Sequence, residues 1–285
     1  VRVGSIDQNT IGEQKIKVEY LEKDADNMDV VVGEPMYIEI TLEANPGVKY
    51  ASGMTSAEAL SGYRQAQINR LSVGLQSAIG EELKTLGRIH TLEDFFTFYD
   101  EARRAGFSEI NVDLMTGLPG QTAESLYETL QIVTALSPQH ISAYSLMIEK
   151  GTPFYDMYGF DLVRQENGMK PVFLPTEDEV LRQTDLLEEV LSQYGYIQYE
   201  ISNFAKPGNE CRHNVGYWKR VPYLGVGLGA ASLLCTGQKR PYEARFEIRT
   251  SNIRDLPRYM QLDFPNDLPE DAPRIIQSPA WETRE

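Results

Sequence analysis

Arg70-Leu71-Ser72-Val73-Gly74-Leu75-Gln76 reads with period two: Leu71, Val73 and Leu75 share one face, and Ser72, Gly74 and Gln76 share the other. The same reading holds on either side of it. In 37–43, Ile38, Ile40 and Leu42 oppose Glu39, Thr41 and Glu43; in 109–115, Ile110, Val112 and Leu114 oppose Asn111 and Asp113. Buried parallel strands are normally near-continuous apolar runs. Three strands in one series, each with a polar face, imply a sheet whose apolar face takes helices and whose polar face lines a lumen.

The segments between them read as helices. Thr55 with Glu58 forms a capping box for a helix over 55–67, and a short helix over 80–86 stops at Gly87. Thr91 caps 92–105 before Gly106; Thr122 caps a helix to Leu136; Thr176 caps an acidic helix to Tyr194 before Gly195. Further strands are expected at Ile141–Ile148 and Tyr196–Ile201, with a short one at Lys15–Tyr20 and an irregular stretch from Gly151-Thr152-Pro153 to Pro175. Strand–helix alternation of this kind specifies α/β architecture with a parallel sheet. The expected organisation is an irregular segment 1–36, a partial (β/α) barrel over 37–201, an α/β extension over 202–264 and a tail from 265.

Parallel α/β proteins bind ligands at the C-terminal ends of their strands. Glu43 and Gln76 fall at such ends, and Asp113 lies near one. Carboxylates suit ribose diols and ammonium groups, and a guanidinium suits a carboxylate. Arg88, just past Gly87, is either that guanidinium or a solvated surface arginine. Gly225-Val226-Gly227-Leu228-Gly229 lacks the lysine and spacing of a phosphate loop, so a tight backbone approach explains it better. Cys211-Arg212-His213-Asn214-Val215-Gly216-Tyr217-Trp218 gathers rare residues. It reads either as an imidazole ligand beside an aromatic wall or as a packing loop. There is no HExxH pattern and no Ser-His-Asp arrangement.

Composition narrows the function classes. The 285 residues carry 27 basic and 42 acidic side chains, a net charge of −15, which argues against general nucleic-acid binding and against docking on anionic lipid. No apolar run approaches a membrane span. Two cysteines, Cys211 and Cys235, make no disulfide framework and fit a cytoplasmic protein.

Taken together, the ordered motifs Leu42-Glu43-Ala44-Asn45-Pro46-Gly47, Asn69–Ser77, Leu86–His90, Asn111–Thr122, His140–Leu146, Tyr199–Gly208 and His213-Asn214-x-x-Tyr217-Trp218 resemble the oxygen-independent coproporphyrinogen III oxidase-like radical S-adenosylmethionine (SAM) family, and within it the HemW-type heme-chaperone branch. The resemblance implies a partial parallel radical SAM barrel with a [4Fe-4S] cluster and S-adenosylmethionine as cofactors. It places Glu43, Gln76, Arg88 and Asp113 at S-adenosylmethionine, and His213, Asn214, Tyr217 and Trp218 at heme. The implied activity is heme binding and delivery to acceptor proteins, or alternatively oxidation of coproporphyrinogen III to protoporphyrinogen IX.

The chain departs from the family in three places. It has no Cys-x3-Cys-x2-Cys triplet and no Gly-Gly-Thr-Pro before the Glu43 strand, and Gly229-Ala230-Ala231-Ser232 stands where Gly-Ala-His-Ser is usual. Trp281–Glu285 resembles the start of the family's C-terminal helical domain. A piece shortened at both ends, unable to hold the cluster, is therefore expected.

Overall fold

A computed structural model describes residues 39–50, 53–236 and 246–261, together with the strand backbones at 2–3, 18–19, 21–23, 29–31 and 281–283. Two compact units divide the chain, Val1–Cys211 and Arg212–Glu285. The first begins with two antiparallel pairs, β1 (Arg2–Val3) with β2 (Val18–Glu19) and β3 (Leu21–Lys23) with β4 (Asp29–Val31). Of the expected strand at 15–20, Val18 and Glu19 are described and form β2; the other positions lie outside the described residues.

The main sheet has six strands in the order β5 (Thr41–Ala44), β6 (Arg70–Gln76), β7 (Glu109–Thr116), β8 (His140–Ser145), β10 (Asn203–Ala205) and β9 (Ile197–Gln198). β5 to β8 are parallel neighbours. β10 then runs antiparallel to β8, and β9 antiparallel to β10. The expected Tyr196–Ile201 strand is thus two residues at the edge, with the Tyr199 N–H still donating to the Asn203 carbonyl (3.1 Å) just beyond it. β8 ends at Ser145 rather than Ile148, and β5 begins at Thr41; residues 37 and 38 lie outside the described part.

Helices α1 (Ser56–Gln65), α2 (Gly80–Thr85), α3 (Leu92–Arg104), α4 (Ala123–Leu136) and α6 (Glu177–Gln193) fall where capping chemistry puts them. Thr55, Thr91, Thr122 and Thr176 each close a capping box, satisfying backbone N–H groups that the first turn leaves unpaired. Gly87, Gly106 and Gly195 take positive φ just beyond three of the helices, a backbone conformation that a Cβ disfavours. The stretch from Gly151 is helical as far as Glu166 and irregular from there to Pro175. Thr152 caps α5 (Pro153–Glu166), with Pro153 in the first turn, where its missing N–H costs nothing.

The apolar strand faces and the helices make one core. Leu71, Val73, Leu75, Ile110, Val112, Leu114 and Ile141 are fully buried with Phe95, Phe107, Leu126 and Leu130. The parallel register holds the opposite, polar face in rows. Glu43, Ser72, Asn111 and His140 are lateral neighbours, as are Gly74, Asp113 and Ser142.

In the second unit, α7 (Arg212–Trp218) precedes a three-stranded antiparallel sheet of β11 (Ala231–Thr236), β12 (Phe246–Asn252) and β13 (Trp281–Thr283), with α8 (Leu256–Met260) following β12. Trp281–Thr283 is a strand of this sheet. A Cβ on Gly225 would lie 2.1 Å from the Ala231 carbonyl oxygen, so only glycine fits this backbone approach.

Candidate functional site

The polar face of β5–β8 carries a connected set of buried polar groups, among them Arg70, Asn111, His140 and Ser142. At its N-terminal end, buried Arg70 pairs with Glu39 (3.4 Å) and Glu109 (3.5 Å) and donates to the Asn209 carbonyl (3.1 Å). One row further along, Ser72 donates to Asp113 Oδ2 (2.8 Å). Asn111 donates to Asp113 Oδ1 and to Ser72 Oγ, both at 2.7 Å. Burial raises the Asp113 carboxyl above the usual aspartate range, and the Glu43 charge adds to this; donors from Ser72, Asn111 and Ser142 oppose it.

Gly74 lies between the expected site residues. A Cβ there would sit 2.8 Å from Asn45 Oδ1 and 2.9 Å from Gln76 Nε2. Arg88 in turn donates to the same Asn45 Oδ1 (3.2 Å). Gln76 holds φ at +72° where the β6–β7 register slips by one residue, and it is buried. A non-glycine residue at positive φ is uncommon, and such strain gathers at functional sites. The strand-end residues are thus brought together: Arg88 through Asn45, Gln76 beside Gly74, Asp113 opposite Gly74 in the register, and Glu43 close enough to act on the Asp113 charge.

Sequence reasoning passed over Asn45, treated as a strand stop, and Gly74, treated only as a polar-face position. A glycine inside a strand is itself a signal of close approach. His140 and Tyr199 were also missed. Starting the fourth strand at Ile141 left His140 outside a polar alternation, His140/Ser142, that it opens.

His213, Asn214, Tyr217 and Trp218 lie on α7, a helix where a loop was considered. His213 is exposed, and its ring meets Tyr217 one turn on, edge to face at 4.5 Å. Tyr217 stacks likewise on Tyr223 at 4.7 Å, and Tyr223 pairs its backbone with Leu233. Burial and the Tyr223 hydroxyl raise the Tyr217 phenol. Trp218 is 58% exposed. An exposed imidazole backed by aromatic rings suits axial ligation of a heme iron.

The chemistry of the strand-end groups fits S-adenosylmethionine: two carboxylates for its diol and ammonium groups and a guanidinium for its carboxylate, with Gly74 leaving room for the Asn45 and Gln76 side chains between them. The thiols do not fit a [4Fe-4S] cluster. Such clusters take several cysteine thiolates, and the 285 residues hold two cysteines, of which Cys211 is buried. Among the described residues no group of histidine, cysteine or acidic side chains could hold a metal ion, and no helix is long and apolar enough to cross a membrane.

A family profile described as the Radical SAM superfamily matches residues 5–133. The Bacillus subtilis heme chaperone HemW is 38% identical over 192 residues, covering 67% of this chain and 47% of that protein. The Escherichia coli heme chaperone HemW is 38% identical over 67% of this chain and 46% of its own length. The chain spans about half the length of the curated relatives it matches. Among solved structures, the Escherichia coli coproporphyrinogen III oxidase HemN, a radical SAM enzyme, superposes with a TM-score of 0.56 at 24% identity, over 77% of this chain and 47% of that one. By sequence and by fold, the chain belongs to the radical SAM superfamily, in the group that includes the HemW-type heme chaperones.

Proposed function

We propose that the protein containing this chain binds heme and passes it to acceptor proteins, with His213 as the heme contact and Asn214, Tyr217 and Trp218 around it. The supporting observation is the exposed His213 imidazole stacked on Tyr217, in a chain 38% identical to proteins named heme chaperones. The alternative, coproporphyrinogen oxidation, has behind it a likeness at 24% identity, which speaks for the fold alone. The proposed setting is the cytoplasm, consistent with two cysteines and no disulfide framework.

The same reading makes the strand ends an S-adenosylmethionine site. When bound, that molecule would supply a sulfonium-activated carbon; the chain's own part is binding. Asp113 and Glu43 would accept from its diol or ammonium, Arg88 would clamp its carboxylate, and Gln76 would bond through its amide. With two cysteines, no radical step is assigned to these 285 residues.

Titrating heme into the chain and into His213→Ala, followed by the Soret absorbance, tests the heme contact. The variant should bind at least about tenfold more weakly, the loss of roughly one strong interaction. Equal binding by both removes His213 from the account.

A further inference from the structure

Behind Asp113 runs a chain of buried hydrogen bonds whose direction the atoms themselves determine. Asn111 places one amide atom 2.7 Å from both Asp113 Oδ1 and Ser72 Oγ. A carboxylate only accepts, so that atom is the amide nitrogen, and Asn111 Oδ1 faces the other way. There it accepts from His140 Nδ1 (2.7 Å) and from Ser142 Oγ (3.1 Å). The His140 proton therefore sits on Nδ1, leaving Nε2 to accept from the Tyr199 hydroxyl at 2.7 Å. Tyr199 oxygen in turn accepts the backbone N–H of Cys211 (3.3 Å). The imidazole is 1% exposed, and its ring meets that of Tyr199 edge to face at 5.5 Å. Burial, with the Arg70 charge nearby, pushes the imidazole down to about 3, so the ring is neutral and its two nitrogens keep opposite roles.

We propose that His140 is a positioning residue for the S-adenosylmethionine site: held in one tautomer by Tyr199, it fixes the Asn111 amide so that its N–H points at Asp113. The inference rests on the assignment of Asp113 to that site. A side-chain amide left to itself has two nearly equivalent orientations, and the flipped one would turn a carbonyl oxygen on the Asp113 carboxylate. The relay removes that choice without touching the ligand. It also explains why a histidine, a tyrosine and an asparagine occupy the inside of a sheet where apolar residues would pack at lower desolvation cost.

Two readouts on the 285-residue chain test it: the titration midpoint of the Asp113 carboxyl, followed by 13C NMR, and the affinity for S-adenosylhomocysteine, which requires no cluster, measured by calorimetry across pH. His140→Phe keeps a ring and loses both bonds, Tyr199→Phe loses the donor to Nε2, and His140→Asn keeps an amide N–H near the Nδ1 position. His140→Phe should raise the Asp113 midpoint by about one pH unit, the loss of one charge-assisted donor. The pH below which S-adenosylhomocysteine binding fails should rise with it. Tyr199→Phe should move both in the same direction by less, and His140→Asn should restore them to near wild type.

An unmoved Asp113 midpoint in both phenylalanine variants overturns the relay, as do equal shifts in His140→Phe and His140→Asn, which would mean packing alone. Should His140→Phe fail to fold, the half-buried change Tyr199→Phe, which removes one hydroxyl, decides. A moved midpoint in a chain that never binds S-adenosylhomocysteine supports the relay and sinks the ligand assignment instead.

Discussion

Gly74 shows how a single missing carbon shapes the site. Its position in β6 is ordinary strand, yet a methyl group there would press on the ends of Asn45 and Gln76. Both are flexible side-chain tips, so Gly74→Ala should fold normally while displacing the groups that Arg88 and the ligand use. The expected outcome is a melting temperature within about 2 °C of wild type and roughly tenfold weaker S-adenosylhomocysteine binding, read by calorimetry. Unchanged affinity would place the ligand elsewhere. Glu43, Gln76, Arg88 and Asp113 were legible as single residues because period two and strand ends identify them. Asn45, Gly74, His140 and Tyr199 were not, because their roles depend on partners 29 to 59 residues away in the chain.

At the scale of elements, the end of β6 is held by a buried carboxylate on α2. Glu82 accepts from Ser77 (2.6 Å), Gln121 (3.1 Å) and Ser125 (2.6 Å), tying the β6–α2 turn to the start of α4. Gln121 also donates to the Met115 carbonyl and accepts from the Leu118 N–H, so the turn after β7 joins the same clamp. Glu82→Ala removes the carboxylate acceptor that two hydroxyls and an amide share in the interior, and should cost about 3 kcal/mol in urea unfolding. Lys84→Ala, on the exposed side of the same helix, should fall within about 0.5 kcal/mol of wild type. Similar losses from both would mean that α2 matters only as a helix. Capping boxes made most helices readable, since each is a local contact three residues long. α5 was misread because Gly151-Thr152-Pro153 serves equally as a breaker and as a helix start, and only packing chooses. β9 is shorter than the alternation implies because only Ile197 and Gln198 pair in register with β10, a partner strand that no local pattern reveals.

At the largest scale, the buried polar face of the sheet makes the first unit sensitive to acid. His140 connects β7, β8 and the segment carrying Tyr199, and its imidazole is held near 3 against an ordinary value of 6.5. Between these values the unfolded chain binds a proton that the folded chain refuses. Its contribution is complete above pH 6.5 and is lost progressively as pH falls toward 3, by up to about 1.4 kcal/mol per pH unit. His90, also lowered by burial, adds in the same direction. Urea unfolding at pH 7, 6 and 5 should show this slope, and His140→Asn should lose the larger part of it; an identical slope in the variant would mean that His140 is not the acid-sensitive group. The sequence by itself determined the α/β alternation, the helix starts, the two-faced strands and the family, because these depend on period, caps and motif order along the chain. Only the tertiary structure decided that the sheet turns antiparallel at β10, that Gly74 is the cradle between Asn45 and Gln76, and that His140 stands behind Asp113. Those depend on which strands are neighbours and on their register, and lateral pairing brings together residues that no local signal relates.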